Sequence, residues 1–380
     1  MADSILRIED LSVDYEVGAG TFHALRDVSF EMTPGRVAGI VGETGCGKST
    51  LAHAIPRLLP VPPARVRGGK VVFRGIDVLA LPKWKLPLVR GTGISMIFQE
   101  PINSLNPAYR IYDQLVEAVR IRKMREAGRT PGVLPSLEPH DYSKATTPKA
   151  SEALVRPLLP SRSGRKKAWL SRDRDAYRED VLEYLRLVRI NDPETILDLY
   201  PHELSGGMRQ RIMIAMALSE RPSLLIADEP TSALDITIQA QVLTLMKELM
   251  DEVRTSILFI SHDLGVIAEM ADDVGVMYAG HLVEFGPVGE VYADPRHPYT
   301  KALLRSVPKQ YKDDGPLPSL PGSVPNLSRP PSGCTFHPRC PLARPICEKD
   351  PGPPLETAEG AGSAGHKAAC YFSDKVASLP

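Results

Sequence analysis

The chain has 380 residues, with 46 Lys/Arg against 46 Asp/Glu, so its formal net charge is zero and nothing global attracts nucleic acid. A hydrophobic share of 43% and a charged share of 24% are ordinary for a globular chain of two or three structural units. Its apolar runs stay well short of the ~18–20 residues that span a bilayer. The opening MADSILRIED has no signal-peptide core. The expectation is a cytoplasmic chain that meets a membrane only through a partner.

Residues 3–33 alternate apolar and polar, which predicts β-strands around a Gly-containing turn. RVAGIV (36–41) predicts a short buried strand running into GETGCGKST and an apolar helix, LAHAIPRLL. Residues 69–98 read as strand and turn ending in ISMIFQ, and helical patterns follow from about 108 to 200. Within them, residues 121–175 are rich in Pro, Ser and basic groups, with 13 Lys/Arg against 6 Asp/Glu and no sustained period. Much of that stretch is expected to be a mobile or loosely folded insertion. Such a basic stretch suits anionic lipid or an acidic partner, although a solvated loop is the plainer reading. Strand signals return at SLLIAD (223–228), SILFIS (256–261) and DVGVMYA (273–279). Between the first two lies a helix with an apolar stripe of Val242, Leu245, Met246, Leu249 and Val253. Alternating strands and helices predict an α/β fold with a parallel sheet. After about 305 the chain becomes Pro-rich and irregular.

Gly42-Glu43-Thr44-Gly45-Cys46-Gly47-Lys48-Ser49-Thr50 fits G-x-x-x-x-G-K-[ST] between a predicted strand and a predicted helix. Glycines let the backbone wrap a phosphate closely, and the helix start adds its dipole. Lys48 supplies a point charge for the β- and γ-phosphates, and the Ser49 hydroxyl a ligand for Mg²⁺. Cys46 reads as a small filler, with oxidation of its thiol the alternative. Leu224–Asp228 is an apolar strand that delivers Asp228 to the metal, and Glu229 follows it, placed to orient or deprotonate an attacking water.

Leu204-Ser205-Gly206-Gly207-Met208-Arg209-Gln210, 18 residues before Asp228, resembles the signature motif of ABC ATPases. Ser205 can cap a helix whose start faces a γ-phosphate. The resemblance implies a RecA-like core with an antiparallel β subdomain and a helical subdomain. It implies further that two subunits pair head-to-tail, with Ser205, Gly206, Gly207 and Gln210 facing the partner's ATP. By the same resemblance, Gln99 is the glutamine that contacts Mg²⁺ and the attacking water. Ser232 to Asp235 is the loop that crosses the dimer, and His262 contacts the γ-phosphate. Tyr15 stacks on adenine.

FQEPINSLNP (98–107), YPHELSGGMRQRIMIAMAL (200–218), RHPYTKALL (296–304), LPGSVPNL (320–327) and GCTFHPRC (333–340) resemble the ATP-binding subunits of oligopeptide/dipeptide/nickel-type importers. Cys334, Cys340, Cys347 and Cys370 are spaced C-x5-C-x6-C-x22-C, unlike a C-x2-C zinc ribbon. Four thiolates suit Zn²⁺ or a [4Fe–4S] cluster. Some members of the resembled family carry a cluster, which is favoured here over zinc, as a staple for an irregular metal-binding tail. The expected division is an ATP-binding domain over 1–305, with a helical subdomain at about 108–220, then a C-terminal region over 306–380. The expected partners are a second homologous ATPase, giving a heterodimer or a homodimer, two transmembrane permeases and an extracytoplasmic substrate-binding protein, with no nucleic acid. The expected place is the cytoplasmic face of the membrane. The alternative is a soluble, non-transport ABC ATPase, against which stand the single cassette and the lack of heptads between phosphate loop and signature.

Overall fold

The structure is a computed structural model that describes residues 4–18, 20–99, 104–126, 176–232, 234–253, 255–306, 322–363 and 365–379. Strands β1 to β6 span Leu6–Val17, Gly20–Met32, Val37–Val41, Ala64–Phe73, Ile76–Asp77 and Ile94–Ile97. Strands β7 to β12 span Leu224–Asp228, Ser256–Ile260, Asp273–Tyr278, His281–Pro287, Glu356–Thr357 and Lys367–Ala368. The helices used below are α1 (Lys48–Ala54), α2 (Ile111–Glu126), α3 (Arg178–Leu187), α4 (Gly206–Ser219), α5 (Ile236–Val253), α6 (Leu264–Met270) and α7 (Pro298–Arg305). The chain divides into two compact units, Met1–Leu79 with Ile257–Pro380, and Ala80–Ser256.

In the first unit, β2, β1, β4 and β5 form an antiparallel sheet in that order. Its alternating pattern is interrupted where Asp10 and Asp27 take left-handed φ values of 47° and 49°, beside register shifts in the β1–β2 pairing. A second sheet centres on β3, which is parallel to β8 on one side and β9 on the other. All five residues of β3 and of β8 are buried, as expected for parallel strands covered on both faces. A tight turn at Ala279–Gly280, both at positive φ, returns the chain antiparallel into β10. The C-terminal region then continues this sheet, with β12 adding to β10 and β11 to β12.

The segment after 322 is therefore tied to the first unit by more than its own turns. The carboxylate of Glu284, fully buried on β10, accepts from the N–H groups of Arg296 (2.6 Å) and His297 (2.9 Å) and meets His366 Nε2 at 2.7 Å. A buried carboxylate is costly unless its lone pairs are filled. Here α7's leading residues and a tail histidine fill them.

In the second unit, β6 and β7 pair in parallel, with Ile94 opposite Leu224 and Ile97 opposite Ala227. Helices α2, α3 and α4 pack on one another. Two expectations are corrected. The apolar helix after the phosphate loop stops at Ala54, because Pro56 has no N–H to continue it and restricts the residue before it. Residues 121–126 do not belong to a loose insertion. They complete α2, where Arg122 is buried and hydrogen-bonds the Tyr184 hydroxyl at 3.0 Å, and Arg125 pairs with Glu220 at 2.7 Å. Burial pushes the Glu220 carboxyl up, and the Arg125 charge opposes that. The remainder of the basic stretch lies outside the described residues, as does the Val253 side chain of the apolar stripe on α5.

Candidate nucleotide site

The phosphate loop leaves the end of β3 and enters α1. Gly42, Gly45 and Gly47 have φ values of 154°, 82° and 107°. A Cβ on Gly42 would stand 2.2 Å from the Met277 carbonyl oxygen, and one on Gly47 would stand 2.4 Å from that of Ala24. Glycine is required at both positions by backbone angle and by space. Nothing lies within 4 Å of a Cβ on Gly45, so that residue faces open room.

Lys48 is buried, and its ammonium donates to the carbonyls of Gly42 (2.8 Å) and Glu43 (3.2 Å). It is thus held across the loop it belongs to. Cys46 is 1% exposed, and burial raises its thiol pKa, against the opposing effect of Lys48. A protonated, sealed thiol fits the filler reading. The Tyr15 hydroxyl lies 3.4 Å from Thr50 Oγ1, and its ring is half-buried. His262 follows β8 and is exposed, and the next residue, Asp263, caps α6 through the N–H of Gly265 at 2.8 Å.

Two contacts on the loop were not legible as site features in the sequence. The N–H of Glu43 donates to the Tyr299 hydroxyl of α7 at 3.1 Å. Its carboxylate faces Arg339, with Nη1 to Oε2 at 3.2 Å. The partners lie 256 and 296 residues away, beyond any local spacing rule.

In the second unit, β7 is buried throughout, and Asp228 at its end is 1% exposed. Glu229 takes φ 46°, a left-handed backbone unusual for a residue with a side chain. Its carboxylate accepts from Gln99 Nε2 at 3.0 Å. Register explains this meeting. Ile97 is opposite Ala227, so the residues two places further, Gln99 and Glu229, leave the parallel pair side by side.

Ser205 caps α4, accepting from the Met208 N–H at 3.3 Å, and Ser205 and Gly206 are exposed. A Cβ on Gly206 would meet nothing within 4 Å, whereas one on Gly207 would stand 2.9 Å from Ile238 Cγ2 of α5. Gly206 is spared a side chain for no reason internal to the fold. Gly207 is needed for helix packing. Gln210 departs from expectation. It is 1% exposed, one turn into α4, and faces the interior of its own unit, where Nε2 finds no hydrogen-bond partner among the described residues. It does not present itself to a second subunit. Asp235 caps α5, accepting from the Ile238 N–H at 3.0 Å, and is exposed.

The tail cysteines influence one another electrostatically. Burial pushes the Cys334 thiol up to about 11 and that of Cys370 to about 12, with the neighbouring cysteines adding to both, and Cys340 moves the same way. The Cys334 N–H donates to the Cys347 carbonyl at 2.8 Å. Among the described residues, no three His, Cys, Asp or Glu side chains are set to grip a single metal ion.

Residues 25–232 match the family described as ABC transporter, a segment that contains the phosphate loop, Gln99, the signature and the acidic pair. The chain belongs to the ABC transporter family. Residues 283–347 of this ABC protein match a second family, the oligopeptide/dipeptide transporter C-terminal region. It is 43% identical to a probable peptide ABC transporter ATP-binding protein of Sinorhizobium fredii, over 100% of this chain and 98% of that one. It is 39% identical to the dipeptide transport ATP-binding protein of Bacillus subtilis, over 99% and 96%. It is 41% identical to the oligopeptide transport ATP-binding protein of Escherichia coli, over 93% and 90%. Its fold is that of the ATP-binding cassette MJ0796, solved as a dimer with ADP and Pi (TM-score 0.54, 21% identity, 74% of this chain and 98% of that one). CbiO1 of Clostridium perfringens is also similar (TM-score 0.50, 26% identity, 77% and 92%). Among the described residues, no helix of this ABC protein is long and apolar enough to cross a membrane.

Proposed function

We propose that this chain is the ATP-hydrolysing subunit of a peptide importer, working as one of a pair of cassettes beneath two membrane permeases. The observation that carries the reading is the Gln99–Glu229 contact at the end of the buried strand β7. It supplies a base and a water-orienting amide one residue from a sealed Asp228. The two family segments and the peptide-transport relatives support the substrate class.

In this reading the loop's N–H groups other than those of Glu43 and Cys46, which are engaged within the fold, join the Lys48 ammonium in holding the β- and γ-phosphates. The open room at Gly45 fits a polyphosphate. Ser49, Asp228 and Gln99 would hold Mg²⁺. Glu229 takes the proton from the attacking water as its oxygen bonds to the γ-phosphorus and the bond to ADP breaks. His262 steadies the γ-phosphate, and Tyr15 stacks on adenine. Ser205 and the helix start at the exposed Gly206 serve the ATP of the opposite subunit, with Asp235 near the crossing. That partner is a homologous ATPase or a second copy, and an extracytoplasmic binding protein delivers the peptide. The cassette sits against the membrane from the cytoplasmic side.

By their resemblance to the family tail, Cys334, Cys340, Cys347 and Cys370 would hold a [4Fe–4S] cluster in preference to Zn²⁺. The support is the four-thiol donor set itself, since among the described residues no three such side chains are set to grip a metal ion. When bound, such a cluster would cross-link the tail.

Steady-state phosphate release by the purified subunit with its permeases tests the catalytic assignment. Glu229→Gln is expected to lower turnover about 10²–10⁴-fold while ATP still binds. Unchanged turnover refutes Glu229 as the base.

A further inference from the structure

The sequence motifs RHPYTKALL and GCTFHPRC have no role in the proposed hydrolysis, yet both end at one residue of the phosphate loop. Tyr299 from the first motif fixes the backbone of Glu43 by accepting its N–H at 3.1 Å. Arg339 from the second fixes its side chain, with Nη1 to Oε2 at 3.2 Å and Nη2 to Oε1 at 3.5 Å, a two-pronged approach. Arg339 Nη1 also donates to the Tyr278 hydroxyl at 3.2 Å. Its guanidinium lies over the rings of Tyr278 and Phe336, 5.7 and 5.9 Å from their centroids. Tyr278, Tyr299 and Phe336 in turn pack with centroids 4.6 to 5.5 Å apart. The Arg339 side chain is 7% exposed and that of Glu43 26%, so water and salt screen the pair less than a surface bridge.

A carboxylate at this position has the wrong sign for its place. The loop binds a polyanion through N–H dipoles and Lys48, and an unpaired Glu43 would repel the same phosphates. We infer that Arg339 is a positioning residue for nucleotide binding: it neutralises Glu43 and turns that carboxylate away from the anion, so the C-terminal region completes the phosphate loop. This rests on the reading of residues 42–50 as the nucleotide site. Arg339 precedes Cys340 directly, so whatever orders the tail cysteines also orders this clamp.

The test is a double-mutant cycle in the full chain, read by equilibrium binding of a fluorescent ATP analogue with Mg²⁺ and by the separate KM and kcat for ATP. Arg339→Gln is expected to weaken ATP binding about five- to tenfold, in KM rather than kcat, as the charge-assisted pair is lost. Glu43→Gln in the same chain is expected to restore binding to within about twofold of Glu43→Gln alone, since the repelling charge is gone. An Arg339 that only anchored the tail would give a loss that Glu43→Gln does not relieve. That result overturns the inference, as does Arg339→Gln binding ATP like the wild type. Should Arg339→Gln not fold, Arg339→Met keeps an apolar stem against Phe336 and Tyr278 and enters the same cycle with the same expectations. A wild-type chain that fails to bind the analogue refutes the nucleotide site itself, which is a separate outcome.

Discussion

Gly206→Asp separates what α4 needs for folding from what it does for a partner. Gly206 is the first residue of the helix, is exposed, and leaves open space within 4 Å of where a Cβ would stand. The first turn of α4 contains no acidic residue. A carboxylate there complements the helix dipole by about 0.3–1 kcal/mol and replaces a poor helix former. The isolated subunit is therefore expected to melt at the same temperature or slightly higher. For the γ-phosphate of the opposite subunit the sign reverses. Two negative charges about 5 Å apart at an effective dielectric near 20 repel by about 3 kcal/mol, roughly a hundredfold in rate or affinity. Gly206→Ala fills the same space without charge and is the control. The assays are thermal melting of the lone subunit and ATP turnover of the assembled transporter. If Gly206→Asp turns over ATP within twofold of Gly206→Ala, the helix start does not face a phosphate and the composite-site reasoning falls.

Two further expectations follow from single groups. His297 is 1% exposed, its Nδ1 accepts the Tyr299 N–H at 3.1 Å as the cap of α7, and burial drives its pKa down to about 3. Its folded pKa lies below the unfolded value of about 6.5, so the unfolded chain binds the extra proton and stability falls as pH drops from about 6.5 toward 3, by up to about 1.4 kcal/mol per unit. His297→Asn keeps a cap acceptor without titrating, so urea melts at pH 7, 6 and 5 are expected to show a flatter acid limb than the wild type; equal slopes would place the acid sensitivity elsewhere. Purification without oxygen is expected to give a brown protein with about four irons per chain, and Cys370→Ser is expected to lose them; colourless, iron-free wild-type protein would sink the cluster.

Much of the site could be read from the sequence because its parts are local. The phosphate loop announces itself through glycine spacing, and the structure supplies the reason at Gly42 and Gly47, where a Cβ would strike a carbonyl. The acidic pair is legible because β7 is an unbroken apolar run that must be buried. What could not be read depends on partners far away in the chain. Gln99 and Glu229 were separate motifs until the β6–β7 register brought them within 3.0 Å. Gln210 was placed by resemblance to the signature motif, and its burial was not legible because α4 is apolar on nearly every side after its first turn. The end of α2 was hidden by composition: Arg122 and Arg125 look like loop charges, yet each finds a buried or half-buried acceptor.

The charges of the phosphate loop make a single argument together. Its cation is held by the loop's own carbonyls, with Lys48 donating to Gly42 and Glu43. Its anion is taken by Arg339, and its thiol is kept protonated by burial. No full charge within the loop is left to repel an incoming phosphate, and the N–H groups and helix start remain the attractive elements. The Lys48 ammonium has three donors, so it can turn one toward a phosphate without surrendering both carbonyls. A loop built this way depends on residues near the end of the chain as much as on its own nine. This gives a physical reason for an ATP-binding cassette to carry a C-terminal region beside its phosphate loop.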